Sequence, residues 1–161
     1  MLVAVGNLTN CRFIGTPAPA SYDGLPEVER HSRAKLSADF CTIDESVFFI
    51  RGQIEIPLIG YAELFTWGVW ASLSSNSMKR ALDVWDRPDR QSEGPLFGWL
   101  NSALPLYPDT LNLKTHVRLG RSPNVPTIAL EPTDHPLAVE QRQGMSLERA
   151  IHIAETLLPR H

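Results

Sequence analysis

The chain has 161 residues, 43% of them apolar, with 15 Lys and Arg against 18 Asp and Glu, a net charge of −3. That length suits one domain with an adequate core, and the apolar share excludes a disordered chain. The acidic balance speaks against a general electrostatic grip on nucleic acid, no apolar run reaches the roughly 18 residues of a membrane helix, and two cysteines, Cys11 and Cys41, make no disulfide framework.

The opening MLVAVGNLTN has no basic lead and too short an apolar run for a signal peptide, so a cytoplasmic location is expected. Residues 1–24 lack a period, and TPAPAS reads as loop, so this segment is expected to be irregular. A single domain is expected over 25–161. LPEVERHSRAKLS (25–37) predicts a short helix, with Glu27 and Glu29 early and Arg33 and Lys35 late, as the helix dipole favours.

Three strands follow, over 39–44, 47–56 and 64–73. In the second, Phe48, Ile50, Gly52, Ile54 and Ile56 share one face, and Val47, Phe49, Arg51, Gln53 and Glu55 the other. Asp44-Glu45-Ser46 predicts the turn of a hairpin. In the third, Phe65, Trp67, Val69, Ala71 and Leu73 share a face, with Trp70 opposite.

Residues 75–86 switch to a helical period, with Met78, Ala81, Leu82 and Trp85 as the apolar stripe and Ser74 or Ser75 as cap. FGWL (97–100) and PTIALE (126–131) predict short strands. TLNLKTHVRLG (110–120) alternates most clearly: Leu111, Leu113, Thr115, Val117 and Leu119 against Asn112, Lys114, His116 and Arg118. SLERAIHIAETLLP (146–159) predicts a helix capped by Ser146, with Leu147, Ala150, Ile151, Ala154, Leu157 and Leu158 inward. The strands before the central helix are joined by turns too short for parallel crossovers. The expected class is therefore α+β: an antiparallel sheet of about five or six strands with helices on one face.

EPTDHPLAVEQ (131–141) concentrates polar groups and permits two readings. One is a helix start capped by Thr133 or Asp134, with Pro136 in the first turn and Gly144 at the end. The other uses Glu131, Asp134, His135 and Glu140 as acid/base groups. His135 and Glu140 are five apart, which does not suit two ligands on one helix face, and no metal site or cofactor is expected. The second candidate is a polar sheet face of Asn112, Lys114 and His116 that Arg51 and Trp70 would join, a recognition surface for a partner or an anionic ligand. Its bland counterpart is a solvated face of cross-strand ion pairs. Trp67, Trp70, Trp85 and Trp99, with Phe65 and Phe97, read as core. Cys41, mid-strand, reads as a small buried residue.

ADFCTIDESVFFIRGQIEIPLIG, FTWGVWASLS, GPLFGWLNSALPLYPDTLNLKTHV and LEPTDHPLAVEQRQGMSLERAIHIAETLL, in that order, resemble a bacterial family, domain of unknown function 2199. The likeness spans about residues 18–158 and implies kinship without an activity. Many members of that family begin with a Cys-x-x-Cys element resembling half a zinc knuckle. This chain has only Cys11 there, so a metal role of that element does not transfer.

Three functions follow as expectations. The first is a non-enzymatic module binding a protein or small molecule, neither nucleic acid nor membrane, on the polar sheet face, with a homodimer as one form. The second is a small hydrolase or metal-dependent enzyme centred on His135 and His116 with Glu131, Asp134 and Asp109 nearby. The third is a structural or immunity-type partner, which requires a large exposed apolar patch.

Overall fold

A computed structural model describes residues 3–5 and 13–157. Cys11, Leu158 and His161 lie outside the described residues. The strands are β1 (Val3–Val5), β2 (Phe13–Gly15), β3 (Ala34–Leu36), β4 (Phe40–Ile43), β5 (Val47–Pro57), β6 (Leu64–Leu73), β7 (Leu96–Leu100), β8 (Lys114–Arg118) and β9 (Thr127–Leu130). The helices are α1 (Ala20–Asp23), α2 (Glu27–Arg33), α3 (Ser75–Val84), α4 (Pro136–Gln143) and α5 (Leu147–Leu157), with a 3-10 turn at Arg90–Glu93. None of these helices is long and apolar enough to cross a membrane.

The mixed α and β content is as expected, but the sheet is neither open nor purely antiparallel. Strands β5 to β9 close into a five-stranded barrel in the order β5-β6-β7-β8-β9, and β9 returns to β5. The closing pair is parallel, Gln53 facing Thr127, and Gln53 N–H donates to the Pro126 carbonyl at 2.9 Å. β2 also runs parallel to β6. Closure removes the two free edges that an open five-stranded sheet would carry. Outside the barrel, β4 and β3 extend from β5, and β2 and β1 from β6. The N-terminal segment expected to be irregular thus supplies two strands and a turn of helix.

Gly52 sits at the closure. A Cβ there would stand 2.7 Å from Ile128 Cδ1 and 3.0 Å from the Pro126 carbonyl, so only glycine lets β9 approach this closely. The hairpin from β4 to β5 turns through Asp44, Glu45 and Ser46, the first two at positive φ (52° and 55°), and Ser46 N–H closes the turn on the Ile43 carbonyl at 3.1 Å. Asp44 pays for that conformation with a fork from Arg33, whose Nε and Nη2 donate to the two carboxylate oxygens at 2.9 and 2.8 Å. The pair holds the Asp44 carboxyl below its ordinary range, the hydrogen bond from Arg33 being the main cause.

One continuous core joins the inward residues of the barrel, among them Ile50, Ile54, Trp67, Val69, Leu96, Leu100, Val117 and Ile128, to buried residues of the three later helices. The sequence period placed most of these. It erred at Leu82, which is 53% exposed while Val84 is buried, and at Ile151, which points out while Ile153 is buried. A second, smaller core lies on the outer face of β5 and β6: Cys41, Ile43, Phe49 and Trp70, covered by Tyr22, Leu25 and Ala34. The helix expected over 25–37 ends at Arg33, because residues 34–36 leave it to pair with β4. The strand expected over 110–120 is confined to 114–118, since the chain turns at Asn112, φ 67°.

Candidate binding surface on the barrel exterior

In β7, Leu96, Gly98 and Leu100 are buried, and alternation sends Phe97 and Trp99 outward, 39% and 41% exposed. Register then builds the surface. Trp99 lies beside Ser72 of β6 and Lys114 of β8, and Phe97 beside His116, which neighbours Ala129 of β9. The two aromatic rings meet edge-to-face, centroids 5.2 Å apart. Lys114 Nζ stands 5.9 Å from the Trp99 centroid, and the His116 ring 5.8 Å from Phe97. His116 Nε2–H donates to Glu131 Oε1 at 3.1 Å, and both side chains are partly exposed. Where β6 enters α3, an open groove of about 330 Å³ runs along this aromatic pair.

The residues expected to form one polar face fall into separate places. Asn112 is exposed at the turn before β8, and Lys114 and His116 belong to the surface just described. Trp70 does not. It is 0% exposed, and its indole N–H donates to the Thr16 carbonyl at 3.0 Å. The N-terminal segment covers it and builds the smaller core there. Arg51, opposite Trp70 in β5, is tied to the Ala38 carbonyl at 2.5 Å and to Asp39 at 3.4 Å. The buried Trp70 cluster therefore splits the expected platform in two.

His135 is the N-cap of α4, the position expected of Thr133 or Asp134. Its Nδ1 accepts the Leu137 N–H at 3.1 Å, and its Nε2 lies 3.2 and 3.0 Å from the Pro108 and Asp109 carbonyls. An acceptor Nδ1 carries no proton, so Nε2 is the protonated nitrogen and donates to those carbonyls. Thr133 Oγ1 accepts from His135 N–H at 3.2 Å, and Asp134 is exposed. His135 and His116 thus hold different partners. Among the described residues, no group of three or more His, Cys, Asp or Glu side chains is arranged to hold a metal ion.

Three perturbed groups lie away from this surface, Cys41, Glu140 and Tyr107. Burial pushes the Cys41 thiol up to about 11, which suppresses the reactive thiolate. Burial also raises Glu140, against a weaker pull from Arg149, whose Nη2 is 3.3 Å from Oε1. Beside them Tyr107 accepts the Trp67 indole N–H at 3.2 Å and lies under the Arg149 guanidinium at 5.3 Å. Burial carries its phenol to about 12.

The exposed pair Phe97 and Trp99 was expected in the core. The signal against that expectation is local: in LFGWL the leucines and glycine alternate with the aromatics, so one face only can be buried. Chemically the arrangement offers flat apolar area, a cation, an imidazole with its carboxylate, and hydroxyls.

A family model described as an uncharacterized protein conserved in bacteria (DUF2199) matches residues 8–145. No curated protein and no solved structure matches the chain.

Proposed function

We propose, from the premise that this chain belongs to the uncharacterised bacterial family DUF2199, that it is a non-enzymatic binding module. Its recognition surface is the open strip of barrel exterior carrying Phe97, Trp99, Lys114 and His116. The observation behind this reading is the exposure of two paired aromatic rings on a barrel whose other outer face is sealed by a second core. Aromatic rings held rigidly by strand register and left in water are the usual anchors of binding sites. A cytoplasmic setting suits the free, buried Cys41 thiol.

The enzymatic alternative centred on His135 and His116 draws less support. His135 spends both ring nitrogens on backbone groups, and His116 faces Glu131 alone among the carboxylates of the described residues.

The test is a saturation-transfer screen of saccharides, nucleotides and short peptides against the intact chain and a Phe97→Ala/Trp99→Ala variant. Binding lost in the variant, with its thermal midpoint retained, supports the reading. Binding that survives the double substitution, or no binding by any class, contradicts it.

A further inference from the structure

The groove beside Trp99 is lined by five serines, the aliphatic Val47 and Leu73, and the two aromatics. No Lys, Arg, His, Asp, Glu, Asn or Gln lines it; Lys114 and His116 stand beside the aromatic pair, outside the lining. Two of the hydroxyls are committed: Ser72 Oγ donates to the Trp99 carbonyl at 3.4 Å, and Ser74 Oγ accepts the Ser77 N–H at 3.1 Å. The hydroxyls of Ser46, Ser75 and Ser77 have no hydrogen-bond partner among the described residues.

That lining selects a ligand. A phosphate or carboxylate would find no guanidinium or ammonium group in the walls, only serine hydroxyls and the backbone N–H groups at the start of α3, where Ser74 already caps the Ser77 N–H. A nucleobase edge is read by amides, carboxylates or guanidinium groups, also absent. A hydroxyl both donates and accepts, so serines match a ligand that carries hydroxyls of its own. Such a ligand also needs a flat apolar face to rest on the indole. A pyranose ring has both, with C–H groups on its face and hydroxyls at its rim. The groove, at about 330 Å³ and open along one side, has room for a short saccharide.

We infer that the groove between the start of α3 and β7 binds a neutral saccharide, one ring stacked on Trp99 and its hydroxyls met by Ser46, Ser75 and Ser77. This rests on the binding surface proposed above and names its ligand class.

The experiment follows backbone amides of the ¹⁵N-labelled full chain during titration with maltotriose, cellotriose and chitotriose, and separately with inorganic phosphate, AMP and an acidic peptide. At least one trisaccharide is expected to shift the amides of Ser72 to Ser77 and Phe97 to Trp99 saturably. Trp99→Ala is expected to weaken that binding at least about tenfold, and Trp99→Phe by less, since a smaller ring remains. Trp99→Phe keeps an aromatic on β7, so a loss confined to Trp99→Ala is not read as unfolding. A response of these amides to phosphate, AMP or the peptide, with none to any trisaccharide, overturns the saccharide assignment and leaves the surface standing. Silence of these amides toward every probe overturns both.

Discussion

The His135 imidazole holds the Asp109 backbone carbonyl at 3.0 Å through Nε2 while its Nδ1 caps α4. One side chain thereby fixes the start of a helix and the loop that leads into β8. His135→Ala is expected to cost about 1–2 kcal/mol, the loss of a cap and of the loop tie. His135→Asn, which keeps a capping oxygen, is expected to recover part of it. Urea unfolding of the three proteins checks this, and an alanine variant as stable as the original chain would contradict the capping role.

Gly52→Ala tests the barrel closure. Its methyl meets the Ile128 side chain and the Pro126 carbonyl at the β5–β9 seam. The expected cost is about 1–3 kcal/mol from overpacking. Gly60, with open space around its Cβ position, is the comparison site: the outcome to watch is whether Gly52→Ala lowers the midpoint well beyond Gly60→Ala. Gly60→Ala carries only the strain of its positive φ of 85°.

Glu140 predicts a pH dependence. Burial raises its carboxyl above the ordinary 4.5, so the fold favours the protonated form. The stability that this group contributes is fully present below the unfolded value and is lost as pH rises through the raised folded value. Glu140→Gln is neutral at every pH. It is expected to raise the thermal midpoint at pH 7 relative to the original chain, with the difference closing below about pH 4.5. A lower midpoint of Glu140→Gln at pH 7, with the difference fading below about pH 4.5, would instead make the Arg149 ion pair the dominant effect.

Cys41 is expected to be inert in the folded protein, since it is 0% exposed and its thiol is pushed up to about 11. In a Cys11→Ser background, iodoacetamide at pH 8 should leave the native chain unlabelled and modify it in denaturant. Labelling of the native chain at the rate of an exposed thiol would contradict the second core around it.

Much of the fold was legible because the strands alternate. The faces of β5 and β6, the hairpin turn at Asp44-Glu45 and the Ser74 and Ser146 caps all follow from neighbours in sequence. Barrel closure was not legible. Its parallel contact joins Gln53 to Thr127 across most of the domain, and its only local trace is a glycine within an alternating strand. The burial of Trp70 was hidden for the same reason, since its cover comes from Tyr22 and Leu25 of a segment without a period. The site was half legible. Lys114 and His116 were read from strand phase, whereas Phe97 and Trp99 were assigned inward because large aromatics are mostly buried. Among the described residues, no segment covers the outer face of β7 as Tyr22 and Leu25 cover that of β5 and β6, so its aromatics stay in water.

The most direct measurement follows the tryptophan indole N–H signals during titration with any ligand the screen finds. Trp67 and Trp70 are 0% exposed and Trp99 is 41% exposed, so the indoles report from different places. The account predicts that the Trp99 signal moves with saturation while those of Trp67 and Trp70 stay fixed. A ligand that moves Trp67 or Trp70 and leaves Trp99 unchanged binds elsewhere, and the barrel exterior at Phe97 and Trp99 is then not the recognition surface.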